Sequence, residues 1–137
     1  MPHLVIDLSP NLAADGPRLA AALHAVLCKS PMFEPGAIRV RVHVPQAVAI
    51  ADLHADNAYA DLRLRIGPGR SVEERQALGQ SLMAATEGVF ADHLKGGHFA
   101  LSLTIEETDA RFSWKRNTIH DRLRSHKGQA KGGRNDA

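Results

Sequence analysis

The chain has 137 residues, of which 44% are hydrophobic and 23% charged, and its formal net charge is +2. This length is typical of one domain with one buried core, and the composition excludes a disordered or fibrous chain. A single cysteine, Cys28, rules out an intramolecular disulfide, and no apolar run approaches the roughly 18 residues that cross a bilayer. We therefore expect a cytoplasmic protein that does not bind membranes.

The first third of the chain has the pattern of a strand, a helix and a second strand. Apolar residues alternate from Pro2 to Leu8, recur at helical spacing between positions 19 and 27, and alternate again from Ile38 to Val44. Pro and Gly residues separate the three segments. These features predict a βαβ unit within residues 2–44.

The same order of patterns recurs within residues 59–107. Residues 60–66 alternate, and Ser71 with Glu74 forms a capping-box pattern before a helix that we expect to end at Gly96-Gly97. Residues 101–106 alternate again. The sequence therefore predicts an α/β fold built from a duplicated βαβ unit, with four main strands in one sheet and two helices.

The last part of the chain has no clear period. We expect a domain over residues 1–124, in which 112–120 packs as a final short element, and a disordered basic tail over 125–137. An alternative function is a non-catalytic binding protein whose tail contacts nucleic acid or an acidic partner. Because the tail lacks interleaved aromatic residues, we favour a solvated end and expect no nucleic-acid binding.

Pro2 is a candidate catalytic base. Removal of Met1 would expose a secondary amine, and an ordinary α-amino group has a pKa of about 8. An apolar site and nearby guanidinium groups disfavour the protonated amine, so its pKa would fall towards neutrality. Many chains begin with Met-Pro for no catalytic reason, but here Pro2 leads directly into a predicted buried strand that would hold its nitrogen in place.

Three arginines are candidate anion-binding residues. Arg39 and Arg41 share one face of their predicted strand, and Arg70 lies between the Gly67-Pro68-Gly69 turn and the helix start at Ser71. Guanidinium groups bind carboxylates in a bidentate way, and free NH groups at a helix start favour an anion. The alternative is that strand arginines are simply solvated.

Dinucleotide binding, metal binding and catalysis by paired carboxylates have weaker support in the sequence. The turn at 67–69 lacks the third glycine of a dinucleotide-binding loop, since Val72 stands at that position. The eight histidines and single cysteine show no H-E-x-x-H or C-x-x-C spacing, so we expect no metal site. Adjacent carboxylates at Glu106 and Glu107 would face opposite sides of a strand and are expected to be solvated.

Four segments, in order and spacing, resemble the 5-carboxymethyl-2-hydroxymuconate isomerase family of the tautomerase superfamily. They are Met1-Pro2-His3, Gly36-Ala37-Ile38-Arg39-Val40-Arg41-Val42-His43, Ile66-Gly67-Pro68-Gly69-Arg70-Ser71 and Trp114-Lys115-Arg116-Asn117-Thr118-Ile119-His120. The resemblance covers most of the chain and implies a homotrimer with the duplicated βαβ fold.

The resemblance also implies the chemistry. Pro2 would be the catalytic base, Arg39 and Arg70 would hold substrate carboxylates or polarise the 2-oxo or enol oxygen, and Arg41 would be a third such residue. The implied reaction converts a 2-hydroxymuconate dienol, an unsaturated di- or tricarboxylate, to its conjugated 2-oxo isomer in homoprotocatechuate-type aromatic catabolism, without a cofactor. An alternative within the same fold is action on another 2-oxo acid, enol or halogenated acrylate.

Overall fold

The computed structural model describes residues 1–126. Its strands and helices alternate along the chain as two successive repeats, followed by a carboxyl-terminal segment. The strands are β1 (His3–Leu8), β2 (Arg39–His43), β3 (Ala58–Ile66) and β4 (Phe99–Glu107), and the α-helices are α1 (Gly16–Lys29), α2 (Val72–Val89), α3 (Ala91–Lys95) and α4 (118–126). Short 3-10 turns cover Pro10–Asp15, Pro35–Ala37 and Ala110–Phe112.

The four strands form one sheet in the order β2-β1-β3-β4. Within each repeat the two strands are parallel, as a connecting helix requires, and the repeats meet at the antiparallel pair β1 and β3. His3 at the start of β1 lies opposite both Arg39 and Arg65 in this register. The predicted duplicated α/β fold is confirmed.

One face of the sheet carries the core. The alternate residues Leu4, Ile6 and Leu8 of β1 are fully buried against the helices, as are their counterparts along β3. Helix α1 buries Leu19, Leu23 and Leu27, and α2 buries Leu78 and Leu82. Each of these leucines stabilises the fold by roughly 1.5–3 kcal/mol relative to an exposed position. The opposite face, with Arg41, Arg63 and Arg65, is open.

The second long helix is shorter than predicted. Its capping box is present, since Ser71 Oγ accepts from the Glu74 NH and Glu74 Oε1 from the Ser71 NH, each at 3.0 Å. The helix breaks at Phe90, where α3 begins. Phe90, which has non-helical backbone angles (φ −108°, ψ 28°), is fully buried, and its ring lies 5.0 Å from that of Phe99.

The end of the described chain also differs from the sequence interpretation. Helix α4 continues through Ser125 and His126, which the sequence analysis assigned to the tail. The rest of the predicted tail, 127–137, lies outside the described residues. None of the helices in residues 1–126 has the length and apolar character to cross a membrane.

Candidate active site

The amino terminus is built into the sheet. Pro2 is buried and Met1 is half-buried at the beginning of β1. The Arg39 NH donates to the Pro2 carbonyl at 3.1 Å, which ties the start of the chain to β2. A strand that begins in this way holds the terminal residue in one place, because the backbone on its carboxyl side cannot fray.

Arg39 lies directly beside this terminus. Its Nη1 donates to the Ala37 carbonyl at 3.0 Å and lies 3.5 Å from the Met1 Sδ. Asn117 contacts the same sulfur, with its Nδ2 at 3.4 Å. The Met1 side chain is therefore held between an arginine of the sheet and a residue of the carboxyl-terminal segment.

Arg70 is fixed by the loops around it. Its Nη2 donates to the Met32 carbonyl at 3.0 Å and its Nη1 to the Gly67 carbonyl at 3.3 Å. The guanidinium carbon also lies 5.3 Å from the centre of the Phe33 ring, within the range of a cation–π contact. Few rotamers remain open to this side chain, so its positive charge is preorganised.

A third cation, Lys115, comes from the carboxyl-terminal segment. A Cβ atom built on Gly67 would lie 3.6 Å from Arg70 Nη1 and 3.8 Å from Lys115 Nζ, which are ordinary contact distances, so both charges lie next to this glycine. Lys115 lies in an irregular segment that has no periodic pattern, so the sequence does not indicate it as a site residue. Its neighbour Asn117 explains its position, since Asn117 Nδ2 donates to the Gly36 carbonyl at 2.8 Å.

These surroundings change the basicity of the terminal amine. The pKa of the Met1 amine falls from about 8 to about 6, first because the amine is partly buried and then because of the positive charges of Lys115, Arg70 and Arg39. Lys115 also donates a hydrogen bond to the amine, which favours its neutral form. An amine at this position is thus mostly neutral at pH 7 and able to accept a proton.

Arg41 is placed differently from the other predicted arginines. It is exposed on the open face of the sheet, and its Nη1 lies 3.3 Å from His3 Nδ1. Burial, followed by the charges of Arg65, Arg41 and Arg39, lowers the pKa of His3 below its usual value. The structure therefore brings Pro2, Arg39 and Arg70 together, whereas Arg41 lies next to His3.

A cavity of about 480 Å³ opens beside the amino terminus. Its lining includes Met1, His3, Arg65, Trp114 and Lys115. Trp114 is 85% exposed and offers an apolar wall, while Arg65 and Lys115 provide positive charge. The lining thus combines two positive side chains with an aromatic surface, and it also includes the carboxylate of Asp109.

The helix start after Arg70 is less open to an anion than the sequence suggested. The Ser71 and Glu74 NH groups are both engaged in the capping box. The Glu74 carboxylate, whose pKa is lowered first by the Ser71 backbone hydrogen bond, already occupies the position expected for an external anion. The positive charge in this region comes from the Arg70 side chain.

A separate group of potential metal ligands lies in another part of the fold. His54, Asp56 and His98 each offer one ligand atom within 4.8 Å of the other two. The expectation of no metal site considered only short sequence spacings, whereas here the parallel pairing of Ala58 with Phe99 brings the third residue alongside the first two. Those spacings do not describe these three residues, and the absence of a metal site stays a prediction.

A duplicated βαβ sheet with a cation-lined amino terminus defines the class of protein as a tautomerase-type isomerase. The family model described as 5-carboxymethyl-2-hydroxymuconate isomerase matches residues 2–123. The chain therefore belongs to the 5-carboxymethyl-2-hydroxymuconate isomerase family.

Individual relatives agree with this assignment. The 5-carboxymethyl-2-hydroxymuconate Delta-isomerase of Escherichia coli is 35% identical over 122 residues, which are 88% of this chain and 97% of the relative. The crystal structure of a 5-carboxymethyl-2-hydroxymuconate isomerase from Deinococcus radiodurans R1 superposes with a TM-score of 0.83 at 35% identity, covering 89% of this chain and 93% of that one. A second structure, of a 5-carboxymethyl-2-hydroxymuconate delta-isomerase, gives a TM-score of 0.79 at 26% identity and covers 90% and 93%.

Proposed function

We propose that this chain converts 5-carboxymethyl-2-hydroxymuconate to its conjugated 2-oxo isomer, with Pro2 as the proton-transferring residue once Met1 has been removed. The observation that carries this proposal is the position of the terminal amine, which is half-buried among Arg39, Arg70 and Lys115. Membership of the family and the similarity to the Escherichia coli 5-carboxymethyl-2-hydroxymuconate Delta-isomerase support the choice of reaction.

Removal of Met1 is essential to the proposed chemistry. In the chain described from Met1, the Pro2 nitrogen is part of a peptide bond and has no basic lone pair. Once Met1 is gone, the nitrogen becomes a secondary amine one residue deeper in the sheet, with Arg39 still bonded to the Pro2 carbonyl. Burial and the same positive charges would keep its pKa below the ordinary value of about 8.

The proposed reaction moves one proton. The neutral proline accepts the proton of the 2-hydroxyl group, whose O–H bond breaks and leaves a dienolate. The resulting prolinium then gives a proton to the far carbon of the diene, where a C–H bond forms as the 2-oxo group and the new conjugated double bond appear. Arg39 and Arg70 would stabilise the negative charge that develops on the oxygen between these two steps.

The substrate carboxylates require further positive charge. Arg65 and Lys115 line the cavity of about 480 Å³, a volume within the usual range for a small-molecule site. We propose that Arg39, Arg70 and Lys115 hold the end of the substrate near Pro2. Arg41, which lies against His3, would act more weakly and from farther away.

We further propose that the chain works as a homotrimer in the cytoplasm, in aromatic catabolism of the homoprotocatechuate type. Strands β2 and β4 each have one neighbouring strand within the described chain, so both sheet edges are available for pairing. Closed symmetric assembly would cover such edges. Sedimentation equilibrium of the purified protein measures the mass directly, and a monomeric mass at micromolar concentration would contradict the trimer.

The deciding experiment follows the ultraviolet absorbance of 5-carboxymethyl-2-hydroxymuconate after the protein is added, with Pro2→Ala in parallel and the amino terminus of both established by mass spectrometry. Fast isomerisation that Pro2→Ala reduces by about 10²-fold or more supports the base assignment. Equal rates for the two proteins would show that the reaction does not depend on the secondary amine of proline. No acceleration by a protein that lacks Met1 would exclude this substrate, and a panel of other enols and 2-oxo acids would then be tested.

A further inference from the structure

We propose that His54, Asp56 and His98 bind a divalent transition-metal ion of the zinc type, at a site separate from the amino terminus. One ligand atom of each residue lies within 4.8 Å of those of the other two. The three residues do not line the cavity beside Met1. Two imidazoles and one carboxylate form a ligand set that suits Zn²⁺, Co²⁺ or Ni²⁺ better than Mg²⁺ or Ca²⁺, which prefer oxygen ligands.

The fold fixes the distance between the two histidines. His54 and Asp56 belong to the connection between β2 and β3, and His98 directly precedes β4. The Ala58 NH donates to the His98 carbonyl at 2.8 Å, and the parallel register continues from there. The two segments are therefore joined by the sheet itself, a few residues from the cluster.

Hydrogen bonds select one tautomer of the neutral His98 ring. The Asn57 Nδ2 donates to the Ile50 carbonyl at 3.1 Å and to Asp52 Oδ1 at 2.7 Å, which leaves Asn57 Oδ1 as an acceptor. His98 Nδ1 lies 3.0 Å from this oxygen and must therefore be the donor. The neutral ring then has its lone pair on Nε2, so that a metal ligand is already oriented by a partner behind it, as is common in metal sites.

The other two ligands need a small rearrangement. The His54 ring stacks on that of His98 with a centroid distance of 4.2 Å, and its Nδ1 accepts from the Asp56 NH at 3.1 Å. Coordination through this nitrogen would replace that hydrogen bond. Bond lengths of about 2.0–2.2 Å bring tetrahedral ligand atoms to about 3.4 Å apart, so the atoms must approach one another by about 1.4 Å at most. His54 and Asp56 are exposed, and rotation of their side chains can provide this movement.

The cluster is also accessible to an ion from solvent. A cavity of about 430 Å³ borders it and is lined by Asp56, His98 and His93. Within residues 1–126, the Asp56 carboxylate takes part in no salt bridge. Three protein ligands leave the fourth position of a tetrahedral ion for water. A bound ion would link the β2–β3 connection to the start of β4.

The test measures the binding of Zn²⁺ to the full-length, untagged chain by isothermal titration calorimetry, with Zn²⁺ as the only added metal ion. Because Cys28 Sγ lies 3.6 Å from the His24 ring nitrogens, all proteins carry Cys28→Ser to remove a competing ligand pair. We expect one ion per chain, an affinity that decreases as the pH is lowered through imidazole protonation, and a rise in Tm with Zn²⁺.

Variants separate the site from adventitious binding. His54→Ala and His98→Ala should each weaken Zn²⁺ binding at least about tenfold, in line with losses at metal sites. His126→Ala, an exposed histidine in α4, is the matched control and should bind as the parent does. The proposal is overturned if the parent shows no Zn²⁺ binding, or if the two cluster variants bind as tightly as the control. Neither outcome depends on isomerase activity.

Discussion

Gly36 lies so close to His120 that a methyl group on the glycine would stand 2.7 Å from the His120 Cα and 3.1 Å from its backbone nitrogen. This contact fastens helix α4 to the loop before β2. Asn117 strengthens it by donating to the Gly36 carbonyl and accepting from the His120 NH at 3.0 Å. The segment that carries Lys115 to the amino terminus is therefore held by a position that only glycine fits.

Gly36→Ala should move this segment. Backbone atoms of His120 cannot yield as a flexible side chain would, so we expect a loss of about 1–3 kcal/mol in the free energy of unfolding and a lower isomerase rate. Urea denaturation and kcat/KM measure the two effects. Gly88→Ala is the control, because a Cβ atom at this position has no other atom within 4 Å. Gly88 also lies in helix α2, where alanine is favoured over glycine. Equal effects of the two substitutions would disprove the importance of the contact.

The pH dependence of kcat/KM should follow the ionisation of the terminal amine. A lowered pKa, about 6 for the amine of Met1, means that the neutral form predominates above that pH. With Pro2 as the base, kcat/KM should rise with pH through an ionisation below the ordinary value of about 8 and then level off. Initial rates between pH 5 and pH 9, at constant ionic strength, give this value. A rate that is already maximal at pH 5 would contradict a neutral amine base.

Lys115→Met should shift that profile. Loss of the positive charge and of the hydrogen bond to the amine raises the amine pKa, so the ascending limb should move to higher pH. At pH 6 the variant should be slower than the parent, and the difference should narrow at higher pH to the part that the loss of substrate binding by Lys115 contributes. Arg63→Gln, which removes an exposed charge from the open face, is the control and should leave the profile in place. An unshifted profile for Lys115→Met would rule out its effect on the amine.

The two arginines of β2 should differ in importance. Arg39→Gln removes a charge that lowers the amine pKa and lies at the terminus, so we expect kcat/KM to fall by about 10²-fold or more. Arg41→Gln removes a charge that lies against His3 and should cost less, about tenfold or below. Steady-state kinetics of both variants under the same conditions tests the order, which is refuted if Arg41→Gln is the slower enzyme.

The fold could be predicted because each repeat has a strong period. Alternation from Leu4 to Leu8 and the capping box at Ser71 are local signals, and the structure retains both. The second helix is interrupted at Phe90, which packs against Phe99, and a contact with a residue of another element is invisible in the local sequence. Local patterns thus gave the order of elements correctly and the extent of α2 incorrectly.

The site could be predicted only in part. Pro2 directly precedes β1, and Arg39 is the first residue of β2. The pairing of these two strands brings the two residues together. The segment that contains Lys115 is held near the amino terminus by a hydrogen bond between Asn117 and Gly36. These two residues are 81 positions apart in the chain. Contacts at such separation carry no spacing signal in one sequence. For the same reason, the sequence does not indicate that His98 lies close to His54.

The duplication of the fold is symmetrical in its strands but not in its chemistry. Strand β1 begins next to a free amine, whereas the corresponding strand of the second repeat, β3, begins at Ala58, whose nitrogen is a peptide NH bonded to His98. A polypeptide has one beginning, so a chain with two equivalent halves supplies one such amine. An amine-directed reagent that inactivates the enzyme should therefore place one label per chain on the terminal amine, in addition to any label on lysine side chains.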